Sequence, residues 1–142
     1  KGYLNDDDLW HICNNINRPV FVDTKKRRLF QKDNVYWKIN KKEYDDLIQE
    51  NLPDLRNLIV TLGPNGATWN GMIYKPQPVK VFDVCGAGDT FLAALVFKFL
   101  ETRSMENAIN YANKAAAISV THPGAYRLSK QDIISIGEKN ES

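Results

Sequence analysis

Short apolar runs alternate with stretches of helical periodicity along this chain, and that alternation limits the folds open to it. Leu58-Ile59-Val60-Thr61-Leu62 is the clearest strand signal, stopped by Gly63-Pro64-Asn65-Gly66. Val20-Phe21-Val22, Val35-Tyr36-Trp37-Lys38-Ile39 and Val79-Lys80-Val81-Phe82 read as further strands. Residues 67–69 and 72–74 flank Asn70-Gly71, a favoured two-residue hairpin turn. Leu9, Ile12, Cys13 and Ile16 recur at helical spacing behind the acidic residues 6–8, and Pro19 ends that helix. Asn40, with Glu43 three residues on, forms a capping-box pattern ahead of the apolar face Tyr44, Leu47 and Ile48. Residues 89–100 are apolar nearly all round and read as a buried helix. Met105, Ala108, Ile109, Ala112, Ala116 and Ser119 mark another, whose alanines permit close packing. Strands alternating with helices predict an α/β fold with a largely parallel central sheet.

Composition removes several function classes. The 142 residues are enough for one domain with one core. The net charge of +2 is too small to argue for nucleic acid, and the basic run Lys25-Lys26-Arg27-Arg28 reads as a solvated loop. No apolar run approaches the roughly 20 residues that span a bilayer, so no membrane partner is expected. Cys13 and Cys85 form no CxxC, which predicts a reducing, cytoplasmic setting and no metal cluster. His11 and His122 are isolated, which removes most metal-site and Ser/His/Asp readings.

The most informative segment is Val81-Phe82-Asp83-Val84-Cys85-Gly86-Ala87-Gly88-Asp89-Thr90-Phe91. It leads through a small-residue turn into a helix. Gly86 and Gly88 let the backbone bend and approach a ligand. A helix start offers unpaired N–H groups and a positive dipole end, which together suit an anion. Asp89 there is either a helix cap or a general base beside an anion hole. A dinucleotide fingerprint is the competing reading of Gly86-x-Gly88. It fails at Phe91, where the third glycine belongs, and no acidic strand end follows to bind ribose. The GxxxxGK[ST] pattern of P-loop nucleotidases is absent.

Asp83-Val84-Cys85-Gly86-Ala87-Gly88-Asp89 resembles the DTxGAGD signature of ribokinase-type (PfkB family) carbohydrate kinases, with Val84 where the family commonly has Thr. Other segments resemble the family in the same order. Asn40-Lys41-Lys42-Glu43 is similar to its NxxE motif, and Thr61-Leu62-Gly63-Pro64-Asn65-Gly66-Ala67 to its T-L-G-x-x-G-A turn. Ala112-Asn113-Lys114-Ala115-Ala116-Ala117 resembles the helix near the adenine, and Thr121-His122-Pro123-Gly124-Ala125 the loop that often binds a monovalent cation. Tyr126-Arg127-Leu128 departs from the small or hydroxyl residues usual after that loop. Lys1-Gly2-Tyr3-Leu4, Asp23-Thr24-Lys25 and the Cys85 variant point toward the heptose-phosphate kinase branch.

The resemblance implies a ribokinase-like, three-layer α/β/α fold and transfer of a phosphoryl group from ATP to a sugar or sugar phosphate. It implies Asp89 as base and Gly86, Ala87 and Gly88 as the anion hole. Thr61, Gly63, Gly66 and Asn113 would border the nucleotide. Asn40 and Glu43 would order Mg2+, and a monovalent cation such as K+ would sit at the later loop. It further implies that residues 1–142 are the C-terminal nucleotide-binding portion, with the sugar-reading half and its lid before Lys1. The chain alone is then expected to bind nucleotide weakly, to self-associate through an exposed strand edge and to phosphorylate no sugar. A non-catalytic nucleotide-binding module and a dinucleotide-dependent oxidoreductase are the competing classes.

Overall fold

The computed structural model describes residues 6–123 and 128–141. Its elements run α1 (Asp6–Asn14), β1 (Val20–Asp23), β2 (Val35–Asn40), α2 (Lys41–Asp45), β3 (Leu58–Thr61), β4 (Ala67–Trp69) and β5 (Met72–Tyr74). Then come α3 (Ala87–Thr102), α4 (Met105–Ser119) and α5 (Lys130–Glu141). The five strands form one sheet in the order β1-β2-β3-β4-β5. β1, β2 and β3 are parallel, with Val20 opposite Val35, Trp37 opposite Leu58, and Asn40 opposite Thr61. β4 and β5 are joined by Asn70 and Gly71 at φ 50° and 78°, the double positive φ of a type I′ turn. A two-residue link between hydrogen-bonded neighbours makes this pair antiparallel, so the sheet is mixed and mostly parallel. The α/β class expected from the sequence is the class observed.

The chain divides into two compact units, residues 1–62 with 68–73, and residues 63–67 with 74–142. In the first, strand alternation sends Val35, Trp37 and Ile39 of β2 and Leu58 and Val60 of β3 to one face. There they form a core with Cys13, Leu29 and Leu47. The buried Trp37 indole donates to Phe30 O at 3.0 Å, so its one polar atom is satisfied. In the second unit α3 packs on α4. The buried side chains include Phe91, Ala94, Leu95 and Phe99 on α3, and Ala108, Ile109, Ala112 and Ala115 on α4. The alanines let the helices approach closely.

Four expectations need correction. Residues 79–82 are not a strand. The N–H groups of Phe82 and Asp83 both donate to Val120 O just past α4, so no ladder forms, and Val81 and Phe82 are exposed. α3 begins at Ala87 rather than Asp89 and is not buried all round, since Phe97 and Leu100 lie half exposed. Ile12 and Ile16 are exposed, and α1 stops at Asn14, well before Pro19. α2 is one short turn that leaves Leu47 and Ile48 beyond its end. α5 had no counterpart in the sequence reading. The Lys25–Arg28 run lies in a loop, as expected, where Arg27 Nε donates to Asp46 O at 3.1 Å.

Candidate active site

The turn into α3 is built by Asp83 and Gly86. Asp83 Oδ1 accepts from Cys85 N–H at 2.8 Å, an Asx turn that curls the backbone toward the helix. Gly86 follows at φ 75°, ψ 2°, the left-handed region that glycine enters without steric cost. It is the N-cap of α3: Thr90 N–H donates to its carbonyl at 3.0 Å. Ala87 N–H turns back to Val84 O at 3.2 Å. No side chain caps the helix. The start of a 16-residue helix is thus left with donors and a positive dipole end at a surface where Gly88 and Asp89 are exposed.

Asp89 is the third residue of α3, so it is not the cap; Gly86 is. Among the described residues the Asp89 carboxylate makes no hydrogen bond or ion pair, and it faces solvent at the helix start. An uncommitted carboxylate beside an uncapped helix N-terminus can accept a proton while the N–H groups hold negative charge.

Asn40, Glu43 and Thr61 come together in the first unit. Asn40 ends β2 opposite Thr61, which ends β3, so both lie at the carboxyl ends of adjacent parallel strands. Such ends are where open α/β sheets take ligands. Thr61 Oγ1 donates to Ile39 O at 3.3 Å. The capping box is formed in full. Asn40 Oδ1 accepts from Glu43 N–H at 2.8 Å, and Glu43 Oε1 accepts from Asn40 N–H at 2.9 Å. The box uses one carboxylate oxygen of Glu43, and among the described residues the other makes no hydrogen bond or ion pair.

Gly63, Gly66 and Asn113 belong to the second unit. Gly66 N–H donates to Gly63 O at 3.1 Å, closing the turn after β3. The buried Asn113 donates from Nδ2 to Tyr74 O at 2.8 Å, and Gly66 lies against the same carbonyl. Asn113 thus has a structural task that helix packing alone did not predict: it pins the end of β5 to α4. Gly86, Ala87, Gly88 and Asp89 form the turn at α3. Of the expected cation loop, Gly124 and Ala125 lie outside the described residues, as do Tyr126 and Arg127 after it and Lys1-Gly2-Tyr3-Leu4. His122 Nδ1 lies 3.1 Å from Ile118 O.

The sequence reading missed Lys38. This lysine is 6% exposed and pairs with Asp23 Oδ2 at 3.3 Å across β1 and β2. The available signal was a charge inside an otherwise apolar strand.

The two thiols differ sharply. Cys85 is exposed in the turn before α3, whereas Cys13 is buried in the core. Burial pushes the Cys13 thiol above its ordinary pKa, partly offset by the charge of Lys32. A thiol reagent at neutral pH is expected to modify Cys85 within minutes and Cys13 only after denaturant is added. Peptide mapping of the labelled protein checks this. Equal labelling of both in the folded state would contradict the packing of α1.

The sequence matches the model of the pfkB family of carbohydrate kinases over residues 27–132. It is 32% identical over 152 aligned residues to the bifunctional protein HldE of Nitratiruptor sp., covering 94% of this chain and 33% of that protein. Among solved structures it is similar to ribokinase from Thermotoga maritima, with a TM-score of 0.69 at 21% identity, over 93% of this chain and 53% of that one. It is also similar to Arabidopsis thaliana ribokinase complexed with ribose and ATP, with a TM-score of 0.65 at 21% identity, over 83% and 47%. The chain therefore spans about a third of the curated relative and about half of each ribokinase. These likenesses carry the fold, α/β and ribokinase-like. By its match to the family model over most of its length, the chain belongs to the pfkB family of carbohydrate kinases.

Proposed function

We propose that the protein carrying this chain transfers the γ-phosphoryl group of ATP to a hydroxyl of a sugar or sugar phosphate, with Asp89 as general base. The carrying observation is the uncommitted Asp89 carboxylate in the first turn of an uncapped helix that opens on Gly86. The acceptor hydroxyl oxygen bonds to the γ-phosphorus as the bond to the ADP oxygen breaks, and its proton passes to Asp89. The N–H groups around Gly86, Ala87 and Gly88 hold the charge that spreads over the transferring group. Thr61, Gly63, Gly66 and Asn113 border the nucleotide in this reading. A heptose phosphate is the favoured acceptor, from the segment around Asp23 and from the similarity to HldE.

The donor chemistry at the end of β2 fits magnesium. Magnesium takes oxygen ligands and keeps several waters, and Glu43 retains a carboxylate oxygen beyond its capping bond. When bound, the ion neutralises phosphate charge. Asn40 and Glu43 would order its water shell. A K+ ion at the loop after α4 and self-association remain part of the proposal, as does a sugar-reading portion outside these residues.

Glu43→Gln separates the metal role from the cap role, because glutamine also completes a capping box. The variant is expected to melt within a few degrees of wild type and to need about tenfold more magnesium for half-maximal rate, in line with loss of a partner to a metal's outer ligands. An unchanged magnesium titration would leave Glu43 a cap alone. Calorimetric titration with ATP–Mg2+ and with NADH tests the wider reading, and a dinucleotide preference would overturn it. The direct succession of α3 and α4, with no strand between them, already disfavours a dinucleotide-binding βαβ unit.

A further inference from the structure

The first unit holds a cavity on the sheet face opposite Asn40 and Thr61. Strand alternation sends Leu58 and Val60 of β3 to one face and Thr61, with its neighbour Asn40, to the other. A cavity of about 380 Å³ has Leu58, Val60 and Leu62 at its base. Its sides are α2, through Tyr44, and β4, through Trp69. Lys41, Thr68 and Asn70 supply polar groups to the lining. All of these residues lie within the first unit.

The lining is apolar at its base and polar where it meets solvent. Leu58 and Val60 are buried, whereas Lys41 and Asn70 are exposed. The Trp69 ring is fixed in place, because its indole N–H donates to Arg56 O at 2.9 Å. Lys41 Nζ lies 5.5 Å from the centre of the Tyr44 ring, which holds the cation over an aromatic wall. Lys41 also pairs with Asp45 at 2.6 Å, with both side chains exposed. An exposed pair of this kind is weak, and an ammonium has three donors, so Lys41 can receive a second anion. The side chains of Tyr44, Thr68 and Asn70 make no hydrogen bond among the described residues. Imperfect packing at the surface explains a hollow. It does not explain an aliphatic base, two rings, a cation and spare donors brought to one place, which is the composition of a ligand pocket.

We propose that this cavity binds a small apolar carboxylate, its hydrocarbon body seated on Leu58, Val60 and Leu62 against the Tyr44 and Trp69 rings, and its carboxylate paired with Lys41. Charge selects the occupant. Lys41 is the one ionised side chain in the lining, and a single cation suits a single negative charge rather than the several of a nucleotide. The site is separate from the nucleotide-bordering residues of the kinase reading. Thr61 is on the other sheet face, and Gly63, Gly66 and Asn113 belong to the second unit.

The test is calorimetric titration of the full-length protein with naphthalene-2-carboxylate and with its neutral amide, which keeps the shape and removes the charge. The carboxylate is expected to bind wild type with a dissociation constant of about 1 mM or below, as for a ligand of this size. Lys41→Gln is expected to weaken the carboxylate about fivefold, the upper end for an exposed ion pair, and to leave the amide unchanged. Thr68→Phe places a ring in the cavity and is expected to weaken both probes by at least about tenfold. Lys41 is exposed, so Lys41→Gln carries the test if Thr68→Phe fails to fold. Saturating ATP–Mg2+ is expected to leave the carboxylate's affinity unchanged. No binding by wild type, displacement of the carboxylate by ATP–Mg2+, or full affinity in folded Thr68→Phe overturns the proposal. Equal binding of carboxylate and amide, as for a cleft that takes a partner's apolar side chain, overturns it too. Each of these outcomes leaves the kinase reading standing.

Discussion

Asp89→Asn is expected to lower kcat by about 10²–10⁴-fold, as for loss of a positioned general base, while ATP affinity changes little. The amide keeps the shape of the carboxylate and cannot take the hydroxyl proton. The structure makes this substitution clean. Asp89 is not the cap of α3, its carboxylate holds no other residue among those described, and it is exposed. The only expected stability effect is loss of a charge near the helix N-terminus, about 0.3–1 kcal/mol. Rate and melting temperature therefore separate the alternatives. A base loses rate and keeps stability, whereas a helix-stabilising carboxylate loses a little stability and keeps rate. Activity of the variant within about threefold of wild type would remove Asp89 from the chemistry.

What was legible in the sequence was local. Asn70-Gly71 announced its hairpin because a type I′ turn needs positive φ at both positions, and those residue types tolerate it. Asn40 and Glu43 announced their box because both bonds close within three residues. The Gly86 turn and the nearby Asp89 were legible for the same reason. Errors arose where the outcome depended on a distant partner. Val79-Lys80-Val81-Phe82 has strand composition, but a strand needs a ladder, and the N–H groups of Phe82 and Asp83 both donate to Val120 O instead. Residues 89–100 carry apolar side chains on every side, yet hydrophobicity does not say which neighbours are present, and Phe97 and Leu100 stayed half exposed. α5 was missed because its signal is thin. Ser129 and Asp132 exchange capping bonds at 3.0 and 3.1 Å, but Ile136 is the one fully buried apolar side chain among its described positions.

The candidate site followed the same division. Asn40 and Thr61 were each identifiable from their own segments, but their pairing across β2 and β3 required the register. Lys38 and Asp23 are 15 residues apart, and Asn113 and Tyr74 are 39 apart. No short pattern encodes either contact. Both place a polar side chain in a buried position, where its partner decides whether it stabilises or costs.

Gly66→Ala is expected to be the most destabilising single-methyl change in the second unit, and Gly63→Ala is its control. Both glycines have positive φ, 94° and 60°. At Gly63 a Cβ meets nothing within 4 Å, so alanine there bears only the backbone cost, roughly 1–2 kcal/mol. At Gly66 a Cβ would lie 1.9 Å from Tyr74 O and 2.9 Å from Tyr74 C. These are backbone atoms and cannot rotate away, so β5 must move. Moving Tyr74 O also strains its bond from Asn113, a buried amide that would lose its partner at a cost of about 1–3 kcal/mol. Together with the left-handed backbone, the total should exceed about 4 kcal/mol, beyond the usual range for one substitution. Thermal unfolding of the two variants measures the difference. Gly66→Ala is expected to melt roughly 10 °C or more below Gly63→Ala, or to fail to fold. Melting of the pair within about 2 °C of each other would mean that Tyr74 O does not press on Gly66. The turn after β3 would then owe its shape to φ alone.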